Sequence, residues 1–174
     1  KKKNYDLIKV NGLKKIKQFN YKIPSDISSG AFFLILTALS KNSKLVIKDM
    51  NINPSRIGVL KILRLMGIKI GVHNTKHYKG EKIAQISIQS HSKIKPIICP
   101  KNLNSSAIDE FLLIFLVAAK ANGVSYFKDL SELNQKESPR LKWGSKILNM
   151  MGIKNQLTKN SIKIFGAPKL NLTK

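Results

Sequence analysis

The chain repeats itself, and the repeat narrows its possible folds more than any other feature. An apolar run, Ala31 to Leu39, leads to Lys44-Leu45-Val46-Ile47-Lys48-Asp49-Met50, then to a helical pattern from Ile57 and to Met66-Gly67-Ile68. The same order returns as Phe111 to Ala121, Val124-Ser125-Tyr126-Phe127-Lys128-Asp129-Leu130, a helical pattern from Leu141, and Met151-Gly152-Ile153. The Lys-Asp pairs stand 80 residues apart and the Met-Gly-Ile triplets 85 apart, so five residues are inserted in the second copy. They fall in the loop carrying Lys136 to Arg140. Repeated helices carry packing and loops carry chemistry, so extra length there points to function.

Each copy reads helix, strand, helix, strand. The first helix is apolar nearly all round, as burial on most sides requires. The second is amphipathic, through Val59, Leu60, Ile62, Leu63 and Met66 in one copy and Leu141, Ile147, Leu148 and Met151 in the other. Gly67 and Gly152 follow as helix stops. Alternation in Ile83-Ala84-Gln85-Ile86-Ser87-Ile88 and in Ser161-Ile162-Lys163-Ile164-Phe165 gives the closing strands. Further strand pieces precede each copy at Lys22-Ile23-Pro24 and around Ile97-Ile98. The fold class is therefore α/β, with tandem repeated units and helices buried under mixed sheets. The expected division is 1–21 as the end of a preceding strand region, 22–95 as the first unit and 96–174 as the second. The chain starts at Lys1 without Met, inside what reads as a strand, Tyr5 to Val10, which suggests a piece of a longer polypeptide.

Composition excludes several classes. The longest apolar run, Gly30 to Leu39, falls short of the roughly 18–20 residues of a membrane span. The basic N-terminus has no adjacent apolar stretch, so no secretory signal is expected. Cys99 is alone, which rules out an internal disulfide, fits a cytoplasmic protein and suggests a buried structural thiol. The net charge of +23 invites a nucleic-acid reading, but only three of the 32 basic residues are arginine: Arg56, Arg64 and Arg140. Phosphate- and base-reading surfaces favour the arginine fork. Here the lysines are scattered, without an aromatic ladder, so weak salt-sensitive attraction to polyanions is expected rather than specific nucleic-acid recognition.

Carboxylates are scarce, and their placement is the main chemical signal. Five of the nine Asp and Glu lie between Asp109 and Glu137, where Lys136-Glu137-Ser138-Pro139-Arg140 sets an acid between two cations. Such a cluster suits acid–base work on an anionic substrate; it equally suits an ordinary helix cap. The repeat places Ser29 opposite Asp109, both at the start of the apolar helix. There the amide-rich end would favour a carboxylate, as base or as cap. His73, His77 and His91 fall in a polar, lysine-rich loop and edge, and without a third ligand no metal site is expected. Trp143 is expected to pack. Arg56 either reaches substrate or caps its own loop, and the structural role is the favoured expectation.

Taken together, Ile23-Pro24-Ser25-Asp26-Ile27-Ser28-Ser29-Gly30-Ala31-Phe32-Phe33, Asn53-Pro54-Ser55-Arg56-Ile57-Gly58, Ile108-Asp109-Glu110 and Lys136-Glu137-Ser138-Pro139-Arg140-Leu141 resemble the 5-enolpyruvylshikimate-3-phosphate synthase family. The likeness runs in order from about Lys22 to Met151. It implies a transferase of the shikimate pathway of aromatic amino-acid biosynthesis. The reaction moves the enolpyruvyl group of phosphoenolpyruvate to the 5-hydroxyl of shikimate 3-phosphate and releases phosphate, without cofactor or metal. It implies two of the six α/β units of an enolpyruvyl transferase fold, in a longer and monomeric parent enzyme whose missing N- and C-terminal parts complete the site. By the same resemblance Asp109 contacts shikimate 3-phosphate and accepts the 5-hydroxyl proton. Glu137 moves protons to and from the enolpyruvyl methylene, Lys136 holds shikimate 3-phosphate, and Arg140 holds phosphoenolpyruvate.

Three positions depart from the family pattern: Pro139 and Asn134 stand where Asp and Arg are usual, and Ser25 where Gly is usual. The UDP-N-acetylglucosamine enolpyruvyl transferases share fold and chemistry but lack Lys-Glu-Ser-x-Arg and have a reactive Cys unmatched near Cys99. A standalone lysine-rich polyanion-binding module and an inactive remnant of the synthase are the alternatives of a different class. Sheets cut between repeats expose edges and apolar faces, so poor solubility is expected of these residues in isolation.

Overall fold

A computed structural model of the chain describes residues 7–12, 15, 18–90 and 93–167. The first unit comprises α1 (Ile27–Leu39), β1 (Lys44–Asn51), α2 (Gly58–Leu65), β2 (Ile70–Tyr78) and β3 (Glu81–Gln89). The second comprises short 3-10 turns at Lys101–Leu103 and Ser105–Ala107, then α3 (Phe111–Ala119), β4 (Gly123–Phe127), a 3-10 turn at Ser131–Asn134, α4 (Arg140–Met150), β5 (Asn155–Leu157) and β6 (Ile162–Gly166). Each unit makes a three-stranded antiparallel sheet, ordered β1-β3-β2 and β4-β6-β5, with the last strand in the middle. The mixed character comes from parallel bridges between the segment preceding each unit's apolar helix and that unit's first strand, Ser25 to Met50 and Ile98 to Tyr126.

The repeat extends to backbone detail. Both second helices end in the same Schellman closure: Gly67 N–H donates to Arg64 O and Ile68 to Leu63 O, as Gly152 does to Asn149 O and Ile153 to Leu148 O. The two glycines take φ of +88° and +71°, open to glycine at no steric cost. Asp49 and Asp129, the acids of the paired Lys-Asp dipeptides, both adopt positive φ as well.

The core lies between the sheets and the helices. Helix α3 packs on α1, α2, α4 and β6. Beside it Phe111, Phe115 and Phe127 form a fully buried trio with ring centroids 5.2–6.0 Å apart. Helix α1 is less enclosed than its composition suggests, because Phe32, Phe33 and Leu36 are exposed. On α4, Leu141 and Leu148 are buried but Ile147 is 43% exposed.

Four further expectations are corrected. Each unit has one more strand than the helix-strand-helix-strand pattern. Leu7–Val10 form no strand, while Tyr5 and Asp6 lie outside the described residues. His73 and His77 stand on β2, at the expected edge but within a strand instead of a loop, and His91 lies outside the described residues. Trp143 is 47% exposed, with Lys146 Nζ 4.9 Å from its ring centroid. Cys99 is buried, and desolvation pushes its thiol up to about 11. None of the helices among the described residues is long and apolar enough to cross a membrane.

Candidate functional site

The site gathers at the junction of the two units. Helix α1 begins at an Asp26 N-cap, whose carboxylate accepts from Ser29 N at 2.7 Å. That bond, followed by Ser28 and Arg56, keeps the Asp26 carboxyl below its ordinary range. The matching stretch of the second unit, residues 107–110, does not join a helix. It is wound as turns, and α3 starts only at Phe111 with Glu110 at its N-cap position. Asp109 is thereby freed from capping, and its carboxylate faces cations instead.

Three cations converge on that carboxylate. Arg140 Nη1 donates to Oδ1 at 3.0 Å, and Lys136 Nζ lies 3.6 Å from the same oxygen. Arg56 Nη1 lies 3.4 Å from Oδ2. Arg140 also donates through Nη2 to Glu137 Oε2 at 3.1 Å. The Glu137 side chain is 85% exposed and free to meet a ligand. Its own backbone N–H and the Arg140 guanidinium hold its carboxyl below the usual range. Glu110 turns the other way: it is only 2% exposed and accepts from Ser28 Oγ at 2.5 Å. Burial raises its carboxyl above the usual range, against the opposing effect of Ser28 and Arg56.

The five-residue insertion builds the loop that brings Lys136 and Glu137 to Asp109. Neither Glu137 nor Ser138 caps α4. The N-cap position is Pro139, φ −72°, which makes no side-chain cap bond. Its missing N–H is harmless there, and Arg140 N donates instead to Ser138 O at 2.7 Å. Asn134 donates to Lys159 O, but its Oδ1 is buried without a partner. All four residues singled out in the sequence, Asp109, Lys136, Glu137 and Arg140, thus meet.

Arg56 corrects the expectation of a role within its own loop. Its turn is closed by the backbone, Arg56 N to Asn53 O at 2.9 Å, while the guanidinium reaches Ser28 and Asp109. Ser28 and Glu110 were not legible as site residues, because their bond joins positions 82 apart in sequence. The repeat was the available signal, since it places Ser28 beside the counterpart of Asp109. The assembly is an open surface. A hollow of about 650 Å3 on the first sheet, edged by Lys44, Arg64 and Lys69, holds none of these residues.

The profile of the family described as EPSP synthase (3-phosphoshikimate 1-carboxyvinyltransferase) matches residues 1–174. The 3-phosphoshikimate 1-carboxyvinyltransferase of Ruthia magnifica subsp. Calyptogena magnifica is 39% identical over 163 residues, covering 94% of this chain and 37% of its own length. That of Hydrogenovibrio crunogenus is 40% identical over 152 residues, 87% of this chain and 34% of the relative. The EPSP synthase structure from Acinetobacter baumannii superposes with a TM-score of 0.82 at 38% identity, over 86% of this chain and 34% of that one. The enolpyruvyl transferase NikO of Streptomyces tendae, at 14% identity and a TM-score of 0.57, shares the fold. The chain spans little more than a third of the length of the curated relatives it matches. With the repeated units, the Lys-Glu-Ser-x-Arg loop and a profile match along its whole length, the chain belongs to the EPSP synthase family.

Proposed function

We propose that these residues supply part of the active site of a 3-phosphoshikimate 1-carboxyvinyltransferase within a longer, monomeric, cytoplasmic polypeptide. The carrying observation is the convergence of Lys136, Arg140 and Arg56 on Asp109, with Glu137 tied to the same Arg140. Both substrates, shikimate 3-phosphate and phosphoenolpyruvate, are anions. Cations gathered around a carboxylate make a place suited to phosphate and carboxyl groups.

The reaction follows from these positions. Lys136 takes shikimate 3-phosphate and Arg140 takes phosphoenolpyruvate, which loosens their hold on Asp109. Asp109 accepts the proton of the 5-hydroxyl as its oxygen bonds to C2 of phosphoenolpyruvate, and a proton from Glu137 adds to C3. Loss of a proton from the C3 methyl to Glu137 re-forms the double bond as the C2–O bond to phosphate breaks, and the departing phosphate takes the proton held by Asp109. Glu137 must gain a proton to start the cycle. Transfer of Arg140 to substrate removes one of the groups that keep it ionised, so anion binding prepares the acid. The open half-site calls for a facing surface from the rest of the polypeptide to exclude water.

The test is phosphate release from the two substrates by the complete gene product. Asp109→Ala should lower turnover by about 10²–10⁴-fold, the usual contribution of a positioned base. Unchanged turnover would remove Asp109 as the base.

A further inference from the structure

Asp109 is gripped from two sides by groups of different origin. Arg140 and Lys136, on Oδ1, come from the second unit's inserted loop and the start of α4. Arg56, on Oδ2, comes from the Asn53-Pro54-Ser55-Arg56 turn of the first unit. The guanidinium is itself fixed: Nη2 donates to Ser28 Oγ at 2.8 Å, and Ser28 donates to the buried Glu110 at 2.5 Å. Glu110 adjoins Asp109 in the chain, so these bonds close a ring through both units: Asp109, Arg56, Ser28, Glu110.

We infer that Arg56, braced by Ser28 and Glu110, is a positioning residue for Asp109, holding Oδ2 while Oδ1 is released to act as a base. This role rests on the functional reading above. When Lys136 and Arg140 turn to anionic substrates, both partners of Oδ1 leave together. Without Arg56, nothing described in the structure would then fix the carboxylate's orientation. Arg56 serves two acceptors through separate nitrogens of one rigid plane; a lysine ammonium keeps the charge but lacks the fork.

The experiment compares Arg56→Met, Arg56→Lys and Ser28→Ala in the complete gene product. Because a misplaced reacting group costs up to about 10²-fold, Arg56→Met should lower kcat by roughly 10- to 100-fold. Both KM values should stay within about two-fold, since a brace on Asp109 does not itself bind substrate. Arg56→Lys, which keeps the charge but not the fork, should restore only part of kcat. Ser28→Ala, which keeps Arg56 and loosens it, should show a smaller loss of the same kind and serves if Arg56→Met does not fold. A raised phosphoenolpyruvate KM with kcat intact would overturn the inference by making Arg56 a group that binds substrate. Equal losses from Met and Lys would overturn it as well. Should wild type or Asp109→Ala show that the functional reading fails, the brace is judged by a thermal double-mutant cycle of Arg56→Met with Asp109→Asn. Coupling supports the brace, and strictly additive losses overturn it.

Discussion

Asp109 and Glu110 are neighbours in sequence with opposite surroundings. Asp109 faces three cations, whereas Glu110 is buried, held by one hydroxyl, and has its proton affinity raised by desolvation. The sign for stability follows. A carboxyl that binds its proton more tightly folded than unfolded penalises the fold as pH rises through its ordinary 4.5 toward the raised value, and fully above it. Glu110→Gln retains an acceptor for Ser28 and removes that penalty. Chemical melts from about pH 4 to 8 should show the variant gaining stability relative to wild type as pH rises. A difference independent of pH would contradict the desolvated carboxyl. At this scale the sequence revealed the motif residues, since acids are scarce enough for a cluster to stand out. It did not reveal the Ser28–Glu110 bond, because a serine in a helical first turn has nothing local to mark a partner 82 residues away.

Among the elements, long patterned segments were legible and sparse ones were not. Strand β3 alternates and lies central in its sheet. Strand β2 is an edge whose middle is exposed on both faces, so its polar run carries no period-two signal. Strand β5 has only three residues. Exposed Ile147 shows that an apolar residue at helical spacing does not guarantee burial. Helix α4 also offers a direct test, because α1 has a carboxylate N-cap and α4 has Pro139. Proline's fixed φ limits the unfolded chain, so the fair comparison is Pro139→Asp with Pro139→Ala, both lacking that restraint. Aspartate should accept from the first-turn amides and leave its variant about 1 kcal/mol more stable than the alanine one in urea melts. Equal midpoints would mean that the entry to α4 cannot adopt cap geometry.

For the whole molecule, the question is whether two similar units stand side by side or form one body. Each has its own sheet, but α3 packs on α1 and α2, and the Arg56–Asp109 pair spans the junction. Gly58, the first residue of α2, sits against the turn before α3. A Cβ there would lie 2.5 Å from Ser106 Oγ, 2.6 Å from the Ser106 carbonyl carbon and 2.8 Å from Ala107 N. Two of these atoms are backbone and cannot swing aside. Within an isolated first unit, Gly58→Ala should stabilise α2, since alanine is favoured over glycine in a helix by up to about 1 kcal/mol. Across a shared junction the sign reverses, because overpacking typically costs about 1–3 kcal/mol. The shared core and the Arg56–Asp109 pair both favour the second outcome: a lower midpoint with the transition still single. The same strain would shift the Ser106–Ala107 turn that leads into Asp109, so on the proposed function the transfer activity of the complete gene product should fall with stability. A stabilised Gly58→Ala variant would mean that the units fold as independent bodies, and that Arg56 grips Asp109 across an interface contributing little to the fold.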